Sequence, residues 1–321
     1  MRPEDTDDEF LTTSMQALTA GPGREALDGL GWWDLLGALD DEDARHATFA
    51  LFRAQGRTLA DSPALGAILA QPYLAHTAIA PGTAVAAIRR QSRRRGPVWV
   101  AVGDVAGRHL LFDEPGHGVH IVGPEKVELT AVDVPGRLSV HEVAYEPQAQ
   151  PLTLDPIVAD EARKRSLLLG RVAAASEILG AAEAAVALAT EHATNRVQFG
   201  QPIGTFQAVR HLLAWATTDT TAIDAVVREG ALLLDAPPPH YGEVVKALAG
   251  RNGRRACERA LQVLGGIGFT AEHGHHHHHS RVLALDSLLG SSAALTHALG
   301  TWLRTSGDDP RFAAAVLVPS A

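Results

Sequence analysis

Residues 195–207 read Asn-Arg-Val-Gln-Phe-Gly-Gln-Pro-Ile-Gly-Thr-Phe-Gln, and they interrupt a long Ala- and Leu-rich helical pattern. Gly200 and Pro202 are residue types that end helices, and a second apolar segment starts at Phe206. The segment therefore predicts a bend between two helices. A second turn is predicted at residues 262–270, which read Gln-Val-Leu-Gly-Gly-Ile-Gly-Phe-Thr.

The composition is that of a globular protein with a large core. The chain has 321 residues, of which 46% are hydrophobic and 20% charged, and it is long enough for two or three domains. A net charge of −9 argues against nucleic-acid binding, although Arg89-Arg90 and the run 93–95 are basic patches that can contact phosphates. Cys257 is the only cysteine, which excludes an intrachain disulfide and a cysteine-based structural zinc site.

The N-terminal segment is acidic and lacks the basic and apolar regions of a secretory signal. The sequence also shows no obvious apolar run of membrane-spanning length. From these two features we expect a cytoplasmic protein that does not bind membranes.

The pattern along the chain predicts three domains, with helices at both ends and strands in the middle. Residues 1–83 show helical spacing, residues 84–150 hold short β-like runs at 98–102, 108–112, 118–122 and 138–143, and residues 151–321 are helical again. Helices are predicted at 160–195, 205–233 and 241–264, with a last one from near Ser280 toward Leu303. The predicted fold is therefore α+β and mostly α, with a helical N-terminal domain, a small middle β domain and a C-terminal four-helix bundle.

Both turns carry residues that suit a phosphate-containing ligand. The planar guanidinium of Arg196 can donate paired hydrogen bonds to phosphate oxygens, and the ring of Phe199 can stack on a nucleotide base. Gly265 and Gly266 lack a Cβ, so a pyrophosphate can approach the main-chain N–H groups there. Each turn also has a simpler explanation, because an arginine favours the last turn of a helix and glycines commonly cap helix C-termini.

Together, in this order and at this separation, the two segments resemble the acyl-CoA dehydrogenases, flavoenzymes that oxidise the Cα–Cβ bond of acyl thioesters. The resemblance runs from about residue 25 to residue 303 and is strongest over 160–290. It implies an acyl-CoA substrate, an FAD cofactor and an external electron acceptor. It also implies a set of residues that contact the ADP half of an FAD held mainly by a neighbouring subunit: Arg196, Phe199, Gln207, Gln262, Gly265 and Gly266.

The chain departs from this family at the catalytic base and in the β domain. The family's glutamate, which removes the α-proton of the thioester, occupies one of two positions, and counting from the two motifs these fall on Gly170 and Leu289. Neither residue can accept a proton. Asp286, about one helical turn from Leu289, is the nearest replacement, although a capping or solvent-facing role explains it too. The family's Thr-Glu-Pro loop and aromatic-Ile-Thr stretch, both near the flavin, are missing from the β domain.

A chain that keeps the FAD-contacting residues and lacks the base resembles the short subunit of the heterotetrameric acyl-CoA dehydrogenases of bacterial steroid side-chain degradation. The expected partner is a full-length acyl-CoA dehydrogenase subunit that supplies the glutamate. Two alternatives stay open: a structural subunit that contributes nothing to its partner's flavin, and a homomeric flavoenzyme with an unrecognised base.

Five consecutive histidines, His275 to His279, lie inside the chain. Such a run can bind nickel or zinc in vitro, but it shows no fixed ligand geometry. We therefore predict no metal site and favour a polar turn near the cofactor or an interface.

Overall fold

The computed structural model of the chain describes residues 3–306, except residues 22, 78, 93–95, 115–117 and 146–153. The N-terminal helices are α1 (Pro3–Ala20), α2 (Gly23–Gly29), α3 (Trp32–Gly37), α4 (Glu42–Thr58) and α5 (Ala64–Leu74). The strands of the middle region are β1 (Ala84–Ala86), β2 (Ile88–Ser92), β3 (Gly96–Val102), β4 (His109–Glu114), β5 (Gly118–Val122), β6 (Val127–Val132) and β7 (Val140–Tyr145). The C-terminal helices are α6 (Pro156–Asn195), α7 (Gln207–Leu232), α8 (Tyr241–Leu264), α9 (His275–Asp286) and α10 (Ser292–Thr305).

This order of elements confirms the predicted α+β class, with helices on both sides of a β region. Strands β3, β4, β5 and β7 lie on the four predicted β runs, whereas β1, β2 and β6 are not apparent from the sequence pattern. The strands form two sheets, in the orders β1-β4-β5 and β2-β3-β7-β6. Phe112 of the first sheet joins them, because its ring stacks on Tyr145 at 3.8 Å and meets Trp99 edge-on at 5.3 Å.

Helix α4 crosses α6 where both helices carry a glycine. A Cβ on Gly56 would collide with the carbonyl oxygen of Glu177, and a Cβ on Gly180 would collide with that of Arg53. Only glycine lets the two backbones approach so closely. This crossing attaches the N-terminal helices to the C-terminal bundle.

A buried ion pair connects the same two helices to α9. Arg281 Nε lies 3.3 Å from Glu177 Oε1, and both side chains are almost completely buried. Gln55 donates a hydrogen bond of 3.0 Å to the other carboxylate oxygen of Glu177, and Arg281 donates to the carbonyl of Ala60. Burial raises the pKa of Glu177 to about 7, against the lowering effect of Arg281.

The C-terminal part differs from the prediction at its last helix, which is divided into α9 and α10. Leu289 and Gly290 in the connecting turn both have positive φ, at 56° and 100°, so a helix cannot continue through them. Ser291 then caps α10 by accepting a hydrogen bond of 3.3 Å from the N–H of Ala294. The predicted single helix from Ser280 to Leu303 is therefore wrong.

Helix α6 also corrects the expectation that no run is long and apolar enough to span a membrane. An 18-residue window of this helix has a mean hydropathy of 1.6 and meets that criterion by length and composition. However, 78% of the window is buried inside the protein. Helix α6 therefore resembles the core helix of a globular domain.

Candidate functional site

The two positions expected for the base lie side by side in the fold. Gly170 is buried on α6, and Leu289 is partly buried in the turn between α9 and α10. A Cβ on Gly170 would lie 3.0 Å from Leu289 Cδ1 and would collide with Leu69 Cδ2 of α5. Three apolar groups therefore meet at the two positions where the family carries its glutamate in one or the other place.

This apolar contact borders a cleft of about 780 Å³. The cleft lies between α5, α6, the β sheets and the α9–α10 turn. Its walls are mainly apolar: Leu69, Ala86, Ala87, Ile88, Trp99, Leu111, Leu167, Leu289 and Ala294. The volume and lining are typical of a small-molecule site.

Among the described residues, Asp113 is the one carboxylate that lines this cleft, and its oxygens are already bound. Arg163 donates two hydrogen bonds to it, of 2.6 and 2.7 Å, and the Tyr73 hydroxyl donates a third of 2.7 Å. Burial, and next the hydrogen bond to Asp113, raise the pKa of Tyr73. Arg163 and Tyr73 together occupy both carboxylate oxygens of Asp113, which gives this side chain a structural role.

Asp286 makes a separate set of contacts at the end of α9. Its carboxylate accepts hydrogen bonds from the N–H of Ser292 at 2.9 Å and from the Ser292 hydroxyl at 3.2 Å. Its Oδ1 also lies 3.7 Å from Nζ of the fully buried Lys246, whose pKa is lowered by burial to about 8. These contacts suit a residue that stabilises the α9–α10 turn, and Asp286 does not line the cleft.

The first predicted turn is a tight hairpin at the C-terminal end of α6. Strands β8 (Val197–Gln198) and β9 (Gln201–Pro202) pair across Phe199 and Gly200, whose φ angles are 53° and 80°. Two successive residues with positive φ are typical of a hairpin turn and place the Phe199 ring in solvent, 91% exposed. Arg196 follows the last residue of α6 and is exposed, and Gln207 is the exposed first residue of α7.

The second turn follows α8 and is equally open. Gln262 is exposed on α8, Gly265 ends this helix with a φ of 62°, and Gly266 follows in a short 3-10 helix. No described atom lies within 4 Å of where a Cβ on either glycine would stand. Phe269 at the end of the turn is 77% exposed.

The two turns lie at the same end of the bundle, because α6, α7 and α8 run in alternating directions. His192, one turn before the end of α6, has a pKa lowered by burial and next by His273, which lies three residues after the second turn. An exposed arginine, exposed aromatic rings and open glycine backbone therefore form one surface. These features fit the ADP half of an FAD presented by another subunit, because a phosphate can reach the backbone without meeting a side chain.

The histidine run lies in the first turns of α9 and its members face different surroundings. His275 and His278 are buried, and burial lowers the pKa of each to about 4. The other three are only partly buried. Among the described residues, no group of three or more His, Cys, Asp or Glu side chains is arranged to hold a metal ion.

Two groups of interacting side chains near these sites could not be recognised from the sequence pattern. One is the contact of Tyr73, Asp113 and Arg163, which come from three different regions of the chain. The other is the exposed Trp215, whose ring lies 5.8 Å from the guanidinium of Arg259. The basic run 93–95 lies outside the described residues.

Comparison with known proteins places the chain in a family. The profile of the acyl-CoA dehydrogenase C-terminal domain matches residues 161–303. The acyl-CoA dehydrogenase IpdE2 of Mycobacterium tuberculosis is 31% identical over 245 residues, which cover 74% of this chain and 71% of that protein. The chain belongs to the acyl-CoA dehydrogenase family of oxidoreductases that act on CH–CH bonds, and the predicted resemblance is confirmed.

Solved structures of the same fold include two complexes. The Tcur3481–Tcur3483 steroid ACAD aligns with a TM-score of 0.75 and 20% identity, covering 95% of this chain and 99% of that one. The ChsE4–ChsE5 complex of Mycobacterium tuberculosis aligns with a TM-score of 0.70 and 18% identity, covering 95% and 98%. At this identity the similarity establishes the fold.

Proposed function

We propose that this chain is the base-lacking subunit of a heteromeric, FAD-dependent acyl-CoA dehydrogenase that introduces an α,β double bond into an acyl-CoA thioester. The proposed partner is a full-length acyl-CoA dehydrogenase subunit that supplies the glutamate, and the proposed assembly is a heterotetramer. An external electron acceptor and a cytoplasmic location complete the proposal. A steroid side chain is the proposed acyl class, because one structural relative is a steroid enzyme.

One observation carries this proposal: the FAD-contacting surface and the base positions lie far apart on the same helix. Gly170 and Arg196 stand near the middle and at the end of α6, about 39 Å apart at a rise of about 1.5 Å per residue. This separation is longer than an entire 20-residue helix, which spans ~30 Å, so the side chains at the two positions cannot meet. Within one chain, these residues cannot act on the same reacting atoms, and this separation supports the proposal that the surface contacts the FAD of another subunit.

The chain's own residues would bind and orient the cofactor from outside. The guanidinium of Arg196 would donate hydrogen bonds to phosphate oxygens, and Phe199 would cover an apolar face of the ligand. Gly265 and Gly266 would let the pyrophosphate reach the main-chain N–H groups, and Gln207 and Gln262 would donate from their amides. Bound FAD supplies the acceptor for the hydride that leaves the β-carbon.

The homomeric alternative requires a free base near Gly170 and Leu289. Leu69 fills the space between α5 and Gly170, while Asp113 and Asp286 are bound by Arg163 and by Ser292 respectively. These contacts favour the heteromeric proposal over a homomeric enzyme.

The test is a visible absorption spectrum of the protein, purified once alone and once after co-expression with the full-length acyl-CoA dehydrogenase gene nearest to its own. We expect a colourless protein alone, and a yellow complex that oxidises acyl-CoA. A protein that is purified alone with flavin and is active by itself would refute the heteromeric proposal.

A further inference from the structure

A cavity between the N-terminal helices and the β region has no role in the function proposed above. Its volume is about 380 Å³, and its described lining comes from α2, from α3, and from the segments 81–83 and 107–109 near the starts of β1 and β4. It shares no lining residue with the cleft at Gly170 or with the FAD-contacting surface. We call it the Arg108 cavity, and the side chains that matter in its lining are Arg24, Asp28, Trp33, Thr83, Arg108 and His109.

Arg108 carries a buried positive charge that forms no ion pair with any described residue. The residue is 8% exposed, and its guanidinium carbon lies 4.8 Å from the centre of the Trp33 ring. Nη1 donates a hydrogen bond to the carbonyl of Gly82, whereas Nε finds no acceptor among the described residues. Because a buried charge is costly unless it is paired and hydrogen-bonded, Arg108 lacks a negatively charged acceptor.

The neighbouring charges leave the Arg108 cavity with an excess of positive charge. Burial, and next the charge of Arg24, lower the pKa of Arg108, while Asp28 and Asp104 raise it without pairing with it. Arg24 is exposed and forms no ion pair with any described residue. Asp28 is the one carboxylate among the described lining residues, and its Oδ1 accepts a hydrogen bond of 2.6 Å from the indole of Trp33. Two guanidinium groups therefore outnumber one engaged carboxylate, which favours an anionic ligand.

Packing fixes this arrangement in the absence of a ligand. Gly82 has a φ of 78°, and a Cβ at this position would collide with the ring of Trp33. Trp32 meets the same ring edge-on at 5.2 Å. The ring beside the guanidinium of Arg108 and the carbonyl that accepts its hydrogen bond are therefore held in place, so a ligand would not have to order them.

We propose that the Arg108 cavity binds a small oxyanion, a carboxylate or a phosphate, between the guanidinium groups of Arg108 and Arg24. Both kinds of anion offer the paired acceptor oxygens that an arginine binds. The exposed Thr83 and His109 supply a hydroxyl and an imidazole as further donors. A cavity of about 380 Å³ is at the small end of ligand sites, which suits a compact anion. This site goes beyond the proposed function and does not depend on the FAD-contacting surface.

The experiment is a calorimetric titration of the purified full chain, in the assembly in which it folds, at constant ionic strength. The probes are inorganic phosphate and succinate, which distinguish the two kinds of oxyanion, and succinamide, which has nearly the shape of succinate and no charge. We expect saturable binding of at least one anion and at least tenfold weaker binding of succinamide, because the arginines contribute charge-assisted hydrogen bonds.

Three variants locate the site, and each changes an exposed side chain, so that the fold is kept. Arg24→Gln should weaken binding of the anion at least tenfold, because one of the two guanidinium groups is lost. Thr83→Trp should abolish binding by filling the cavity from its rim. Arg304→Gln makes the same change of charge on α10, outside the cavity, and should bind the anion as the wild type does.

Wild-type anion affinity in either Arg24→Gln or Thr83→Trp would overturn the proposal, as would no binding of phosphate or succinate to the wild type. Succinamide binding as tight as that of succinate would also overturn it, because charge would then not select the ligand. Binding of phosphate alone would support a phosphate site, and binding of succinate alone would support a carboxylate site. Arg24→Gln should leave the flavin content of the complex unchanged, so a failure of this proposal is distinguishable from a failure of the heteromeric proposal.

Discussion

Lowering the pH from 7.5 to 4.5 is expected to destabilise the fold through two histidines of α9. His275 and His278 are buried, and burial lowers the pKa of each from the ordinary 6.5 to about 4. Nε2 of His275 lies 2.9 Å from the carbonyl oxygen of Cys257, and His278 lies against the backbone of Gly56. Near pH 5 both side chains are therefore neutral in the folded protein, whereas in the unfolded chain they are protonated.

The sign and size of the effect follow from these pKa values. Because the folded pKa lies below the unfolded pKa, stability is complete above pH 6.5 and is lost as the pH falls through 6.5 toward 4. Between pH 7.5 and 4.5 each histidine costs about 2.5 kcal/mol, so the pair costs about 5 kcal/mol. Glu177 acts in the opposite direction, because its raised folded pKa of about 7 adds stability as the pH falls from 7 toward 4.5.

Urea unfolding of the wild type and of the double variant His275→Gln/His278→Gln, at pH 7.5 and pH 4.5, isolates the histidine contribution. The wild type should lose about 5 kcal/mol more than the double variant between the two pH values, and each single variant should remove about half of this difference. His276→Gln, at a partly buried position of the same helix, is the matched control and should keep most of the wild-type pH dependence, because His276 is the smallest of the causes that lower the pKa of His275. Equal pH dependence of the wild type and the double variant would refute the reasoning.

Two further substitutions test the packing. Gly180→Ala should destabilise the fold by about 3 kcal/mol, because the new methyl group meets the carbonyl of Arg53, whereas Gly300→Ala on α10, with nothing within 4 Å, should stabilise it by up to about 1 kcal/mol. Thermal unfolding that ranks the two variants in the opposite order would contradict the close crossing of α4 and α6. Glu177→Gln should cost about 3–5 kcal/mol at pH 8, because Arg281 stays buried without its countercharge. An unchanged urea midpoint would mean that this pair contributes little.

The turns of the candidate site could be predicted from the sequence because their signals are local. Gly200 and Pro202 end one helix pattern, and Gly265 and Gly266 end another. The break between α9 and α10 could not be predicted, because Leu289 adopts positive φ although its residue type gives no sign of it. A single glycine such as Gly290 is tolerated inside many helical patterns.

The residues that line the cleft could not be predicted from the sequence, for a different reason. Leu69 meets Gly170 and Arg163 meets Asp113 across separations of about 50 to 100 residues, so only the assembled fold defines these contacts. Counting from the motifs nevertheless led to Gly170 and Leu289, which lie within contact distance. Their roles as former base positions remain a prediction.

The FAD content of a complex that carries Arg196→Gln tests the central claim most directly. Arg196 is exposed and forms no ion pair with any described residue, so its substitution should leave folding and assembly intact. Loss of a charge-assisted hydrogen bond of about 1.5–3 kcal/mol should weaken FAD binding roughly 10- to 100-fold, while Arg304→Gln at the other end of the bundle should have no effect. An intact complex with reduced flavin content and reduced activity is the predicted result. An Arg196→Gln complex with wild-type flavin content would contradict the shared site and would support a purely structural subunit.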